Sequence, residues 1–122
     1  MRNKLVDSTN WTKASLTKAL INHVTHEARH WAGQCYAWDV LNEALNDDGT
    51  YRNDTFLAVL GPEYIKIAFR AAAAADPHAK LYYNDYNIES PNNKSASVRE
   101  NIVKFLQYVK LIDFWKLDAS II

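Results

Sequence analysis

Two short apolar runs constrain this chain more than anything else in it. Residues 35–41 read CYAWDVL and residues 80–86 read KLYYNDY, with a helical pattern between them. A run that stays apolar at consecutive positions is expected to be covered on both faces, as strands in a parallel sheet beneath helices are. The order helix, strand, helix, strand, helix then predicts βαβ units with right-handed crossovers.

The helices carry their own signals. Leu16, Leu20 and Val24 recur every four residues and, with Ala19 and Ala28, predict a helix over residues 15–29. Thr12 or Ser15 can cap it, and Gly33 stops it. A second helix is expected to open near Pro62 and Glu63, where proline and an acidic side chain suit a helix start, and to close before Asp76 and Pro77. The alanines of its IKIAFRAAAAA segment supply helix propensity and let it lie close to a sheet. Ser97 and Glu100 have capping-box spacing, and Val98, Ile102, Phe105, Leu106 and Val109 stripe a third helix behind them. Residues 46–50 and 88–96 read as polar loops.

Composition excludes several classes of function. At 122 residues the chain suits one ordinary domain, and 14 basic against 14 acidic side chains leave no net charge to attract nucleic acid or an anionic membrane. No apolar run approaches the ~20 residues of a membrane span. The opening MRNKLVDSTNWTKAS lacks an apolar segment, so no secretory signal is expected in it. A single cysteine, Cys35, rules out an internal disulfide and is read as a small buried hydrophobe. Sequons at Asn10, Asn53 and Asn93 lean towards a secreted parent protein.

Both strands turn polar where they end. Asn42 and Glu43 follow the first, and Asn84, Asp85, Tyr86 and Asn87 close the second. In parallel α/β folds the carboxyl edge of the strands is where ligands bind. Asparagine, aspartate, tyrosine and glutamate together can exchange hydrogen bonds with several hydroxyls, so the expected ligand is polyol-like.

Two chemistries compete for this region. HEARH, residues 26–30, places His26 and His30 four apart on a helix with Glu27 between them, the zinc-peptidase pattern. Gly33 continues that pattern, which then has Tyr36 where a third histidine ligand belongs, so the metal reading is the weaker one and no metal is expected. The other chemistry is glycoside hydrolysis, in which one carboxyl protonates the leaving oxygen and a second acts across the sugar. Glu43, leaving a buried strand at the ligand edge, is placed for the first role. Asn42 beside it could bond a sugar hydroxyl.

Longer stretches then carry a resemblance. WDVLNEALNDDGTYR, followed by LGPEYIKIAFRAAAAADPHAKLYYNDYNIE, closely resembles glycoside hydrolase family 10, the retaining endo-β-1,4-xylanases, especially the fungal ones. The likeness runs from about residue 10 to about residue 110. It implies a (β/α)8 barrel, with residues 35–41 as its fourth strand and 80–86 as its fifth. It implies that Glu43 is the general acid/base, that Asn42 contacts the sugar beside the scissile bond, and that Asn84 and Tyr86 line the leaving-group side of the cleft. The implied substrate is xylan or xylo-oligosaccharide, cut internally without metal or other cofactor, by an extracellular enzyme with no obligate protein partner.

The same resemblance marks what is expected to be missing. A full barrel takes about 250 residues, so residues 1–122 are read as a partial catalytic domain, an incomplete (β/α)8 barrel of about strands four and five with flanking helices. MRNKLVDS at the front and LIDFWKLDASII at the back depart from the family's text and suggest divergence, or a truncated or mis-spliced frame. The nucleophilic glutamate implied by the family has no counterpart, and Glu27, Asp39, Asp85 and Glu89 are read as structural or solvated. The chain is therefore expected to be inactive alone. A non-catalytic sugar-binding or inert remnant stays open as an alternative, with the zinc peptidase behind it.

Overall fold

The computed structural model describes residues 10–104 and 106. Helix α1 spans Lys13–His30, strand β1 Ala37–Asn42, α2 Thr55–Leu60, α3 Glu63–Ala75, β2 Lys80–Asn84 and α4 Asn93–Ser97. A π-helical stretch, Val98–Val103, continues α4. β1 and β2 pair in parallel, as the βαβ order predicts. The terminal stretches 1–8 and 111–122, the predicted stripe residue Val109 and the side chain of Phe105 lie outside the described residues.

α1 starts where its cap dictates. Thr12 Oγ1 accepts the backbone N–H of Ser15 at 3.1 Å, and Ser15 Oγ accepts that of Thr12 at 3.0 Å, a reciprocal capping box. Arg29 and His30 fall in the last turn, where the helix dipole favours positive charge. The chain then leaves through a turn with Gly33 at φ +76°, a left-handed conformation that glycine adopts without steric cost. Leu16 and Ala28 are buried, while Leu20 and Val24 pack half-buried against the core.

α3 supplies more of that core than any other element. Tyr64, Ile65, Ala68, Phe69, Ala71, Ala72 and Ala75 are buried, so its alanines do lie at close-packed positions. Ile65 and Phe69 are each fully covered, which contributes about 1.5–3 kcal/mol apiece. From the other side Leu81 and Tyr83 of β2 join them, with Val98, Ile102 and Leu106 behind.

Three expectations need correction. β1 is half-buried rather than enclosed, with Asp39 and Asn42 exposed. Among the described residues only β2 pairs with it, and an apolar cleft of about 620 Å³ opens between it and α1. Cys35 precedes the strand and is only half-buried, because the chain is still emerging from the turn after α1. The loop before α4 ends earlier than predicted. Asn92, not Ser97, is the cap: its side chain accepts the N–H of Ser95 at 2.8 Å, and Ser95 Oγ accepts that of Asn92 at 2.9 Å. Ser97 already has helical angles, and its hydroxyl donates instead to the carbonyl of Gly49 at 2.6 Å. Finally, the six-residue α2 was not foreseen; Asp54 caps it and Gly61 ends it.

Candidate active site

A bulge sets the site. Ala37 pairs with Lys80, Trp38 with Leu81 and Asp39 with Tyr82, but then Leu41 pairs with Tyr83 and Asn42 with Asn84. Val40 is thus the extra residue on β1. Had the first register continued, Asn42 would oppose Asp85. Bulges of this kind re-aim side chains beside active sites, and here the bulge brings two asparagines face to face: Asn84 Nδ2 donates to Asn42 Oδ1 at 2.7 Å. Asn84 Oδ1 is buried and has no hydrogen-bond partner among the described residues.

Glu43 follows at once. Its N–H donates to the carbonyl of Asn84 at 2.8 Å, so the ladder reaches one residue past the strand. Its φ is +52°, a left-handed conformation that costs a non-glycine residue roughly 1–2 kcal/mol. Strain of this kind concentrates at functional positions. The conformation turns the carboxylate out to a 41% exposed position, where Oε2 meets Arg52 Nη1 at 3.3 Å.

Arg52 reaches Glu43 because the intervening chain doubles back. Leu45 and Tyr51 form an antiparallel bridge, and Arg52 N donates to Ala44 O at 2.7 Å. The turn between them, residues 46–50, has the predicted chemistry: Asp48 Oδ1 accepts from the backbone N of Thr50 at 2.9 Å and from its hydroxyl at 2.6 Å. These bonds hold the Asp48 carboxyl below its ordinary pKa. Gly49 has φ +87°, and a Cβ there would lie 2.7 Å from the carbonyl oxygen of Asn93.

Across the edge, the segment after β2 is tied down from within. Tyr83 Oη donates to Asp85 Oδ2, Tyr86 N donates to Asp85 Oδ1 at 2.9 Å, and Lys94 Nζ lies 2.8 Å from the same oxygen. Lys94 also approaches Asp47 at 3.3 Å. Burial and the bond to Asp85 push the Tyr83 hydroxyl far above the usual tyrosine pKa. Burial alone would lower the Lys94 ammonium, but its bonds to Asp85 and Asp47 outweigh that and raise it. Tyr86 lies over Lys94, 3.4 Å from Nζ to the ring centroid, and its hydroxyl accepts from Arg52 Nη2 at 3.4 Å.

The four predicted residues therefore meet in two pairs: Asn42 with Asn84, and Glu43 with Tyr86 through Arg52. Sequence reasoning missed Arg52 and Lys94. Arg52 closes the WDVLNEALNDDGTYR block, and the turn signal six residues before it was the available hint. The competing HEARH segment lies on α1 with His23, His26, Glu27 and His30 all exposed. His30 makes an edge contact with the Trp31 ring. Among the described residues no three histidine, cysteine or acidic side chains gather closely enough to hold a metal.

Comparison with known proteins converges on one family. The model for glycosyl hydrolase family 10 matches residues 2–114. Endo-1,4-beta-xylanase A of Humicola insolens is 56% identical over 106 residues, which are 87% of this chain and 28% of that protein. Endo-1,4-beta-xylanase D of Talaromyces funiculosus is also 56% identical, over 84% of this chain and 25% of its own. The native xylanase 10B of Thermotoga maritima superposes with a TM-score of 0.84 at 43% identity, covering 88% of this chain and 33% of that one. Xylanase 10B of Thermotoga petrophila, solved with xylobiose, gives 0.83 at 42%, over 88% and 32%. The chain thus spans about a quarter to a third of the length of these relatives, and its two strands and their helices are part of a (β/α)8 barrel.

Proposed function

The chain belongs to glycosyl hydrolase family 10, and from that membership we propose that it is the acid/base-bearing part of a retaining endo-1,4-β-xylanase. Residues 1–122 are read as part of one catalytic domain acting on internal β-1,4-xylosidic bonds of xylan. Glu43 is the general acid/base. The observation that carries this is its backbone: a strained, left-handed glutamate at the carboxyl end of a parallel strand, its carboxylate half open to solvent. A general acid must reach the glycosidic oxygen, so a carboxyl fully enclosed by the fold could not serve.

Asn42, Asn84 and Tyr86 are the sugar contacts in this reading. Asn84 Oδ1, without a partner among the described residues, supports it, because buried acceptors are nearly always paired and a sugar hydroxyl is a suitable donor. In the first half-reaction Glu43 would donate its proton to the departing oxygen, and in the second it would take one from the attacking water. Arg52 gives the carboxylate a partner once the proton has left.

Retention also needs a nucleophilic carboxylate about 5–5.5 Å from the acid. Two other carboxylates have work of their own: Asp85 holds Lys94, Tyr83 and Tyr86, and Asp54 caps α2. The 122-residue chain by itself is accordingly proposed to be inactive. The likeness to the fungal xylanases supports reading the parent enzyme as extracellular; no helix among the described residues is long and apolar enough to cross a membrane.

A chimera gives the test. The matching segment of the Humicola insolens relative would be replaced by this chain's residues 10–110, and hydrolysis of xylan would be measured with and without Glu43→Gln. General acid catalysis contributes roughly 10²–10⁴-fold, so the variant should lose that much. A chimera that works equally well after Glu43→Gln would end the assignment. Xylan hydrolysis by the isolated chain, abolished by the same substitution, would refute its proposed inactivity.

A further inference from the structure

Lys94 is fully buried, yet it is charged and has three partners: Asp85 at 2.8 Å, Asp47 at 3.3 Å and the ring of Tyr86 at 3.4 Å. Well-packed apolar side chains often stabilise a core as well as a buried ion pair does, so stability alone does not account for this arrangement. The pair also imposes direction. The Tyr86 backbone N–H is held by Asp85 Oδ1, and its ring rests on the ammonium that the same oxygen binds. Both ends of Tyr86 are thereby fixed by one buried couple.

Tyr86 in turn touches Arg52. The arginine is 38% exposed, and its bonds are long: 3.3 Å to Glu43, 3.4 Å to Tyr86 Oη and 3.5 Å to the carbonyl of Leu45. A long, half-exposed side chain with weak bonds loses considerable rotamer freedom if it holds one conformation. It does so only if the groups it meets are themselves immobile.

We propose that Lys94 is a positioning residue that, through Tyr86 and then Arg52, fixes the side chain of Glu43 at the mouth of the sheet. This rests on the reading that Glu43 and Tyr86 face sugar, and it assigns a task to a side chain that touches neither substrate nor Glu43. The ring contact is the decisive link. A cation against an aromatic face holds the plane of the ring, and the plane determines where the hydroxyl meets Arg52.

NMR on the 122-residue chain, with labelled arginine and tyrosine side chains, tests the linkage without substrate. Contacts between the Arg52 guanidinium and the Tyr86 ring, and exchange protection of the Arg52 Nη protons, are expected in the wild type. Both should be lost in Lys94→Met and regained in Lys94→Arg, which keeps the cation. Tyr86→Leu leaves the Lys94–Asp85 pair in place, so it serves even where Lys94→Met does not fold. It should also release Arg52. Unchanged Arg52 protection in folded Lys94→Met, or in Tyr86→Leu, would overturn the proposal. Titration with xylotriose forms a separate arm. Binding by the wild type that weakens about tenfold in Tyr86→Leu, the weight of a typical single contact, supports the sugar-facing reading. No binding by the wild type counts against that reading, while the Arg52 spectra still decide the positioning role.

Discussion

The two strands leave the sheet in opposite ways. After β2, Asp85 is buried and saturated, bound by Tyr83, by the N–H of Tyr86 and by Lys94. After β1, Glu43 is strained, 41% exposed, and meets one arginine at 3.3 Å. The two carboxylates sit on neighbouring strands at the same edge, yet one is built into the fold and the other is left reachable. The first maintains the geometry; the second stays open to solvent beside Arg52. Substitutions at the two exits should separate these roles.

The largest effect on stability is expected at Lys94. Lys94→Met would leave Asp85 buried and unpaired, and breaking a buried pair from one side costs roughly 3–5 kcal/mol. Urea unfolding of variant and wild type measures this directly. A loss under about 1 kcal/mol would mean that the β2 exit is not the rigid side of the comparison.

Gly49→Ala comes next. The new Cβ would sit 2.7 Å from the backbone oxygen of Asn93 at a left-handed φ. Alanine at an incompatible glycine site costs more than the ~0.4–1 kcal/mol such changes otherwise gain. This substitution pries the turn at the β1 exit away from α4, which follows the β2 exit. It should therefore lower the melting temperature and also disturb resonances at both Glu43 and Lys94. Disturbance at one exit only would show that the two are mechanically independent.

Alkaline pH probes the tyrosine hydroxyls raised by burial, Tyr83 on the β2 side and Tyr64 and Tyr51 elsewhere. The Tyr83 hydroxyl is raised by burial and by Asp85, and Tyr64 is raised chiefly by burial. A group raised on folding contributes stability that is complete below its unfolded value and declines above it. Stability should therefore hold up to about pH 10, the ordinary tyrosine value, and fall beyond it. Lys94, also raised, adds to the fall at higher pH. Tyr83→Phe should flatten that decline in urea titrations repeated from pH 8 to 11. An equally steep decline in the variant would place the alkaline sensitivity elsewhere.

Some of this was legible in the sequence and some was not, for physical reasons. The parallel pair was legible because apolar runs alternate with helical patterns along the chain, and the polar carboxyl edge because both strands end in polar letters. Asn42, Glu43, Asn84 and Tyr86 all lie at that edge, though their individual roles remain a proposal. Arg52 and Lys94 were not legible. A cation in a polar loop ordinarily reads as solvated, and the partners that meet Lys94 come together only in the fold, Asp47 from 47 positions away. The Val40 bulge was equally silent, since periodicity reveals a strand but not its register with a partner. α2 is too short for a helical period to emerge, and Asn92 and Ser97 both fit a capping pattern, so only tertiary packing could choose between them.

The smallest stability effect should come from the Glu43–Arg52 ion pair at the β1 exit. Glu43→Gln and Arg52→Gln each remove an ion pair whose members are 41% and 38% exposed, and such pairs contribute about 0–1 kcal/mol. Their double-mutant cycle should give a coupling near the lower end of that range, measured by urea unfolding. Their effect on catalysis in the xylanase chimera should be unequal in a way their effect on stability is not. The amide introduced by Glu43→Gln cannot donate the proton, so that variant should lose the full general-acid contribution. Arg52→Gln removes only the orienting partner and should lose less, with the remaining activity still dependent on Glu43. If Arg52→Gln instead matched Glu43→Gln in activity while both stayed folded, the arginine would be part of the proton-transfer machinery. The contrast between a fixed exit and a reachable one would then have to be redrawn with Arg52 on the reachable side.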